Sequence, residues 1–208
     1  MDSSFTIDCQ IAHRNPDLVL YRNLLSKAEC DYLIDVAQPH LKRSLTFSTN
    51  GDDPRRTSSS AFSTSFPNDP IIKKLVDRCS ALCGYPASHV EPPQIVRYFP
   101  GEKYIEHADN YAPNQKSYKL SGQRDYTFFI YLNEPSSNDF TGGETFFPKI
   151  EDGIKIKPER GMAVFWRNIK IPDRTDENRD WILHAGVPPD NWTKYGMNCW
   201  IRSKPWIG

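Results

Sequence analysis

Apolar and polar positions divide this chain into two textures. In the first, apolar residues recur every three or four positions. The segment "SKAECDYLIDVAQPHLKR" (26–43) places Leu33, Val36 and Leu41 on one stripe, the period of an amphipathic helix. Ser26 stands as N-cap with Glu29 three residues on, a capping-box pair, while Pro39 leaves the end of this helix open. The segment "NDPIIKKLVDRCSALCG" (68–84) predicts a second helix, with Asp69 as cap, Pro70 at the first position and Gly84 past the end. Its inward residues are Ile71, Leu75 and Leu82. Ahead of the helices "LVLYR" (18–22) reads as a short strand, and "NGDDPRRTSSS" (50–60) reads as a polar loop.

From Gln94 onward the pattern changes to short aromatic and β-branched runs between Gly, Pro and Asn turns. These are "QIVRYF", "KYIEHAD", "DYTFFIYL", "ETFFP", "IKI", "MAVFW", "WILHA" and "MNCWIR". Eight such strands in roughly 110 residues predict a sandwich or jelly roll. The expected fold is therefore mostly β with flanking helices: a jelly-roll core over about 91–208, braced by a helical support over about 1–90, in one domain without a linker. The charged stretch 167–180 is expected to be a loop beside the site that acts as a lid.

Composition sharpens this picture in three ways. Eleven Phe, ten Tyr and five Trp suit a β-rich core. The 26 acidic and 26 basic residues cancel, so no long-range field draws in nucleic acid or an anionic membrane. No apolar run approaches the roughly 18–20 residues of a membrane span, and "MDSSFTIDCQIAHRNPD" lacks the features of a signal peptide. A soluble, cytoplasmic protein, monomeric or homodimeric, is expected. The five cysteines are odd in number and fit no zinc or disulfide spacing, so they read as reduced, half-buried thiols.

The candidate chemistry begins at "YIEHADNY" (104–111). In an extended strand residues two apart point the same way, so His107 and Asp109 project together, as a surface hydrogen bond or as two ligands of a metal. His13, His40 and His89 lie in the helical half or its loops. His184, in "WILHAG", lies in a strand ending at a glycine turn. Two His and one Asp on jelly-roll strands can form the facial triad of a non-haem Fe(II) centre, with no cysteine near to suggest a structural zinc. Three coordination positions then stay open, enough for a chelating 2-oxo acid and O₂. The far carboxylate of such a cosubstrate needs a buried cation. Lys194, ten residues after His184, returns to the site if a strand, a turn and the next strand intervene; otherwise it is a surface lysine.

At these residues the sequence resembles the prolyl 4-hydroxylases of the Fe(II)/2-oxoglutarate-dependent dioxygenase superfamily, of the small plant, algal, viral and bacterial kind. The likeness runs from about Leu20 to Trp200 through "YFPGEKYIEHAD", "QRDYTFFIYLN", "GGETFFP", "GMAVFW" and "LHAGVPPDNWTKYGMNCWIR", with "RRTSSSAF" earlier. The resemblance implies His107, Asp109 and His184 as iron ligands and Lys194 as the partner of the 2-oxoglutarate C5 carboxylate. It implies Tyr98, Thr145 and Trp200 around that cosubstrate, and Tyr104 and Arg124 on the substrate side. Arg202 stands where related enzymes can carry a histidine facing the peptide, so it too falls on the substrate side. The corner through "EPSSNDFT" is longer than in the family.

The implied activity is hydroxylation of peptidyl proline, coupled to decarboxylation of 2-oxoglutarate to succinate and CO₂, with ascorbate as reductant and a proline-containing peptide as partner. One alternative is a relative acting on a free amino acid, a small peptide or a non-proline side chain. Another is a jelly-roll binding module without turnover, which has no need to keep the triad and Lys194 together.

Overall fold

The computed structural model describes residues 6–45, 53–137, 139–169 and 179–207. The strands are β1 (Asp8–Arg14), β2 (Asp17–Arg22), β3 (Lys42–Arg43), β4 (Ser59–Phe62), β5 (Gln94–Tyr98), β6 (Tyr104–His107), β7 (Arg124–Tyr131), β8 (Thr145–Phe147), β9 (Ile154–Ile156), β10 (Ala163–Arg167), β11 (His184–Gly186) and β12 (Lys194–Arg202). The helices are α1 (Lys27–Ala37), α2 (Pro70–Cys83) and the short α3 (Lys116–Ser121). An eight-stranded sheet, ordered β1-β2-β10-β7-β12-β5-β4-β3, faces a four-stranded sheet ordered β6-β11-β8-β9. Within both sheets the neighbouring strands are antiparallel. This is the jelly roll expected from the eight aromatic runs after Gln94.

Strand alternation explains what lies on each face of the large sheet. Phe128 and Ile130 of β7, Met197, Cys199 and Ile201 of β12, and Ile95 of β5 face outward. There they meet Cys30, Leu33 and Ala37 of α1 and Leu75 and Cys79 of α2. Residues of opposite parity, Phe129, Tyr131, Val96 and Tyr98, face the small sheet. The helices thus brace the outer face and leave the space between the sheets for the site.

Both helix starts follow their sequence signals. Ser26 Oγ accepts from the Glu29 amide at 3.2 Å, and the Glu29 carboxylate accepts from the Ser26 amide at 2.8 Å. Asp69 Oδ1 accepts from the amides of Ile71 and Ile72 at 2.9 and 3.0 Å. Gly84 closes α2 with φ 73°, a left-handed conformation suited to glycine. Asp69→Ala is expected to cost about 0.5–2 kcal/mol of stability, measurable as a lower denaturation midpoint at unchanged activity.

The stretch before Gln94 holds α1 and α2 but also β1 to β4, which extend the large sheet at both edges. The polar-loop reading of 50–60 takes in the first two residues of β4, because Ser59 and Ser60 carry no apolar alternation. The pairing of β4 comes from β5, where Ser59 to Phe62 lie opposite Arg97 to Gln94. In "WILHA" only the last part is strand: residues to Ile182 form a 3-10 turn, and pairing begins at His184. Most of the charged stretch expected as a lid, residues 170–178, lies outside the described residues. Among the described residues no helix is long and apolar enough to cross a membrane.

Candidate active site

β6 and β11 lie side by side in the small sheet, with His184 opposite His107. The two imidazole rings are 4.3 Å apart between centroids. Asp109 sits just beyond the end of β6, where the chain turns inward. Its Oδ1 is 3.9 Å from His107 Nε2, and its Oδ2 is 3.7 Å from His184 Nε2. One ligand atom from each of the three residues lies within 4.8 Å of the others. Each ring faces a main-chain carbonyl through Nδ1: His107 to Ile105 O at 2.8 Å, and His184 to Ile182 O at 3.1 Å. A carbonyl only accepts, so Nδ1 carries the proton and the Nε2 lone pair is left for the shared centre.

Burial, and then the neighbouring His184, pulls the His107 pKa down to about 3, so this ring is neutral, as ligation requires. Burial pushes the Asp109 carboxyl up, but His184, His107 and Arg124 outweigh it and hold the carboxyl below its ordinary value. Two neutral imidazole nitrogens and one carboxylate, with the adjoining cleft open, make a donor set that fits Fe(II).

Lys194 opens β12 opposite Tyr98 of β5. Its side chain is 1% exposed and surrounded by the rings of Phe129, Tyr131 and Tyr98, at 4.9, 5.2 and 5.5 Å. Gly196 lets Phe129 come this close, since a Cβ there would meet the ring at 2.4 Å. Among the described residues no carboxylate lies within ion-pair distance of the ammonium. Burial lowers its pKa to about 7, against the weaker pull of Glu144. A buried cation without an anion is a receptor for one, and the far carboxylate of 2-oxoglutarate fits it.

Polar groups border this pocket. Tyr131 donates its phenol proton to Ile156 O at 2.9 Å, so in the 2.7 Å contact with Thr145 Oγ1 the threonine is the donor. Trp200 Nε1 is buried without an acceptor in the cleft wall. Tyr98 stands over Gly186, where a Cβ would lie 3.6 Å from its hydroxyl.

On the other side of the centre, Tyr104 stacks on His107 at 3.6 Å, and Arg56 covers Tyr104 at 4.8 Å. Arg124 is buried in a two-pronged pair with Glu91, at 2.7 Å on both prongs, and lies 3.7 Å over the Trp200 ring. It lines the cleft through that stack.

Arg202 does not lie where the sequence put it. Its guanidinium is fully buried, donating to Glu91 Oε1 at 2.9 Å and to the carbonyls of Ser117, Ser121 and Gly122. It clamps α3 to the sheet instead of facing a substrate. Arg202 lies opposite Arg124 of β7, shares Glu91 with it and packs 4.5 Å over the Tyr111 ring, where α3 covers it. Arg202→Ala is expected to cost about 1–3 kcal/mol or more, because it leaves the carbonyls of Ser121 and Gly122 without their donor while Glu91 keeps Arg124; a thermal melt measures it.

Residues 93–202 match the model of the 2OG-Fe(II) oxygenase superfamily. Probable prolyl 4-hydroxylase 3 of Arabidopsis thaliana is 31% identical, over 90% of this chain and 69% of its own length. The chain belongs to the prolyl 4-hydroxylase family of these oxygenases. Membership makes it a 2-oxoglutarate-dependent dioxygenase that uses Fe(II) and 2-oxoglutarate. A putative prolyl 4-hydroxylase of Acanthamoeba polyphaga mimivirus is 28% identical, over 88% of this chain and 72% of its own. The viral collagen prolyl hydroxylase of Paramecium Bursaria Chlorella virus-1, solved with 2OG, is 27% identical. It superposes with a TM-score of 0.68, covering 89% of this chain and 94% of that one.

Several residues of this prolyl 4-hydroxylase site carried weak signals in the sequence. Glu91 lies outside every strand-like run. Arg56 stood in "RRTSSSAF" without a role. Thr127 had a readable signal: it is a small polar residue on the same parity as Phe129 and Tyr131, in a strand otherwise aromatic and aliphatic. Alternation alone places it between the sheets.

Proposed function

We propose that this member of the family hydroxylates proline within a peptide, with O₂ as oxidant and ascorbate as reductant. When bound, the iron and 2-oxoglutarate supply the oxidation: 2-oxoglutarate loses CO₂ to give succinate, and one oxygen atom enters a C–H bond. The chain's own residues hold and orient. His107, Asp109 and His184 would hold the metal. Lys194 pairs with the far carboxylate of 2-oxoglutarate, and Thr145 and Tyr98 are the polar groups beside it. Trp200 closes the pocket around the cosubstrate, and Tyr104 and Arg124 form the wall against which the substrate lies.

The observation that carries this reading is the convergence of three ligand atoms within 4.8 Å beside an unpaired ammonium in a ring of aromatics. The size of the cleft favours a peptide over a free amino acid. It encloses 1180 Å³, against about 300–1,000 Å³ for a small-molecule site. The solvent-exposed Leu45, Phe62 and Ile105 line it, and they offer apolar contacts to an extended, proline-rich chain. The plant and viral relatives carry the prolyl hydroxylase name over most of their length.

The test is incubation with Fe(II), 2-oxoglutarate, ascorbate and a proline-rich peptide, read by succinate release and by the peptide's gain of one oxygen atom. Free proline and a peptide without proline are the comparison substrates. Oxygen gain in the proline peptide alone is expected; turnover of free proline but of no peptide would assign the chain to the alternative substrate class.

A further inference from the structure

Asp109 is held from behind by a chain of buried side chains. Its Oδ2 accepts from Thr127 Oγ1 at 2.7 Å. Thr127 Oγ1 accepts from Asn168 Nδ2 at 2.8 Å. Asn168 Oδ1 accepts from Trp166 Nε1, also at 2.8 Å. Thr127 and Asn168 are completely buried, and Trp166 is 1% exposed. The strands place these groups. Trp166 of β10 lies opposite Thr127 of β7, and Asn168 follows directly after β10, tied to Asp125 O through its own amide at 2.9 Å.

The direction of every bond follows from one fact: an indole N–H only donates. Trp166 therefore takes the Asn168 oxygen, which turns the amide nitrogen toward Thr127. That nitrogen donates to Oγ1, so the single hydroxyl proton of Thr127 goes to Asp109. The carboxylate has one oxygen loaded with a hydrogen bond and the other, Oδ1, left as the more basic donor. The Trp166 ring meanwhile packs 4.6 Å from the His184 ring, so one residue buttresses two members of the triad.

We propose that Trp166, Asn168 and Thr127 form a polarity-fixed relay that positions the Asp109 carboxylate to bind the metal through one oxygen. The proposal rests on the assignment of His107, Asp109 and His184 as the metal centre. Binding through one oxygen would leave more of the metal's coordination sites free for a chelating cosubstrate than binding through both. The three are positioning residues, since none of them touches the substrate.

The test titrates the full chain with Mn(II), which takes the same nitrogen and oxygen donors without turnover, and follows the free ion by electron paramagnetic resonance. Thr127→Val keeps the shape and removes the hydroxyl. It is expected to weaken Mn(II) binding about 10–100-fold, the usual cost of losing an outer partner of a metal ligand, while Thr127→Ser restores it. Asn168→Asp gives an independent check of polarity. Its carboxylate accepts from both Trp166 and Thr127, pulls the hydroxyl proton away from Asp109, and is expected to weaken Mn(II) binding as well. Asn168→Asp decides the matter alone if Thr127→Val loses its fold. Variants that lower the melting temperature yet bind Mn(II) like the parent would overturn the relay. Failure of the parent chain to bind Mn(II) would overturn the metal centre itself.

Discussion

Asp109→Ala is expected to abolish succinate formation and to remove specific metal binding. Asp109 is the only anionic member of the donor set; without it two neutral imidazoles remain, with no charge to offset that of a divalent ion. The loss should exceed the roughly 10–100-fold of an outer-partner substitution, because the bond lost is to the metal itself. The fold should survive: the neighbours of Asp109 are His107, His184 and Thr127, and the hydrophobic clusters do not include it. Mn(II) titration and a succinate assay on the same preparation check both halves. Full succinate production by Asp109→Ala would remove the basis for the whole site.

Lys194→Met is expected to act in opposite directions on cosubstrate binding and on stability. Removing the ammonium deprives the C5 carboxylate of its buried partner, which costs about 2–5 kcal/mol, or roughly thirtyfold to a few thousandfold in 2-oxoglutarate affinity. The ligand-free protein should gain stability, because an unpaired buried charge gives way to an apolar chain of similar length. Linkage sets the pH window. The folded-state pKa is about 7 and the ordinary value is 10.5. Between these values the unfolded chain holds a proton that the folded chain lacks, so the stability contributed at this residue rises with pH. Below about pH 7 both states are charged and the burial penalty is felt in full. In the parent, 2-oxoglutarate binding above pH 7 must take up a proton, and apparent affinity should fall by up to about tenfold per pH unit. Calorimetry of cosubstrate binding and melting curves across this range measure both effects. Unchanged 2-oxoglutarate affinity in Lys194→Met would show that Lys194 is not the anion's partner.

The site was legible in unequal parts. His107, Asp109, His184 and Lys194 stood out because metal ligation and anion pairing restrict the side-chain types, and because each sat in or beside a strand-like run. The caps at Ser26 and Asp69 were readable because they are satisfied within three residues. Arg202 was not readable as a buried clamp because its partners, Glu91 and α3, lie far away in the chain. Thr127, Asn168 and Trp166 belong to two strands and a following loop, so no local pattern joins them. β4, a run of serines and one alanine before Phe62, is a strand only because β5 offers its edge.

The sequence by itself determined the two longer helices, the eight short strands after Gln94, and the residue types able to hold a metal and a dicarboxylate. These are short-range properties, set by side-chain period, turn chemistry and ligand identity. Only the tertiary structure decided which of those residues meet. The antiparallel register of β6 with β11 and of β5 with β12 sets His107 beside His184 and Tyr98 beside Lys194, and the meeting of β12 with Glu91 and α3 makes Arg202 a structural clamp. Register depends on pairing between segments far apart in the chain, and a shift of one residue exchanges the face that lines the cleft for the face that packs on the helices.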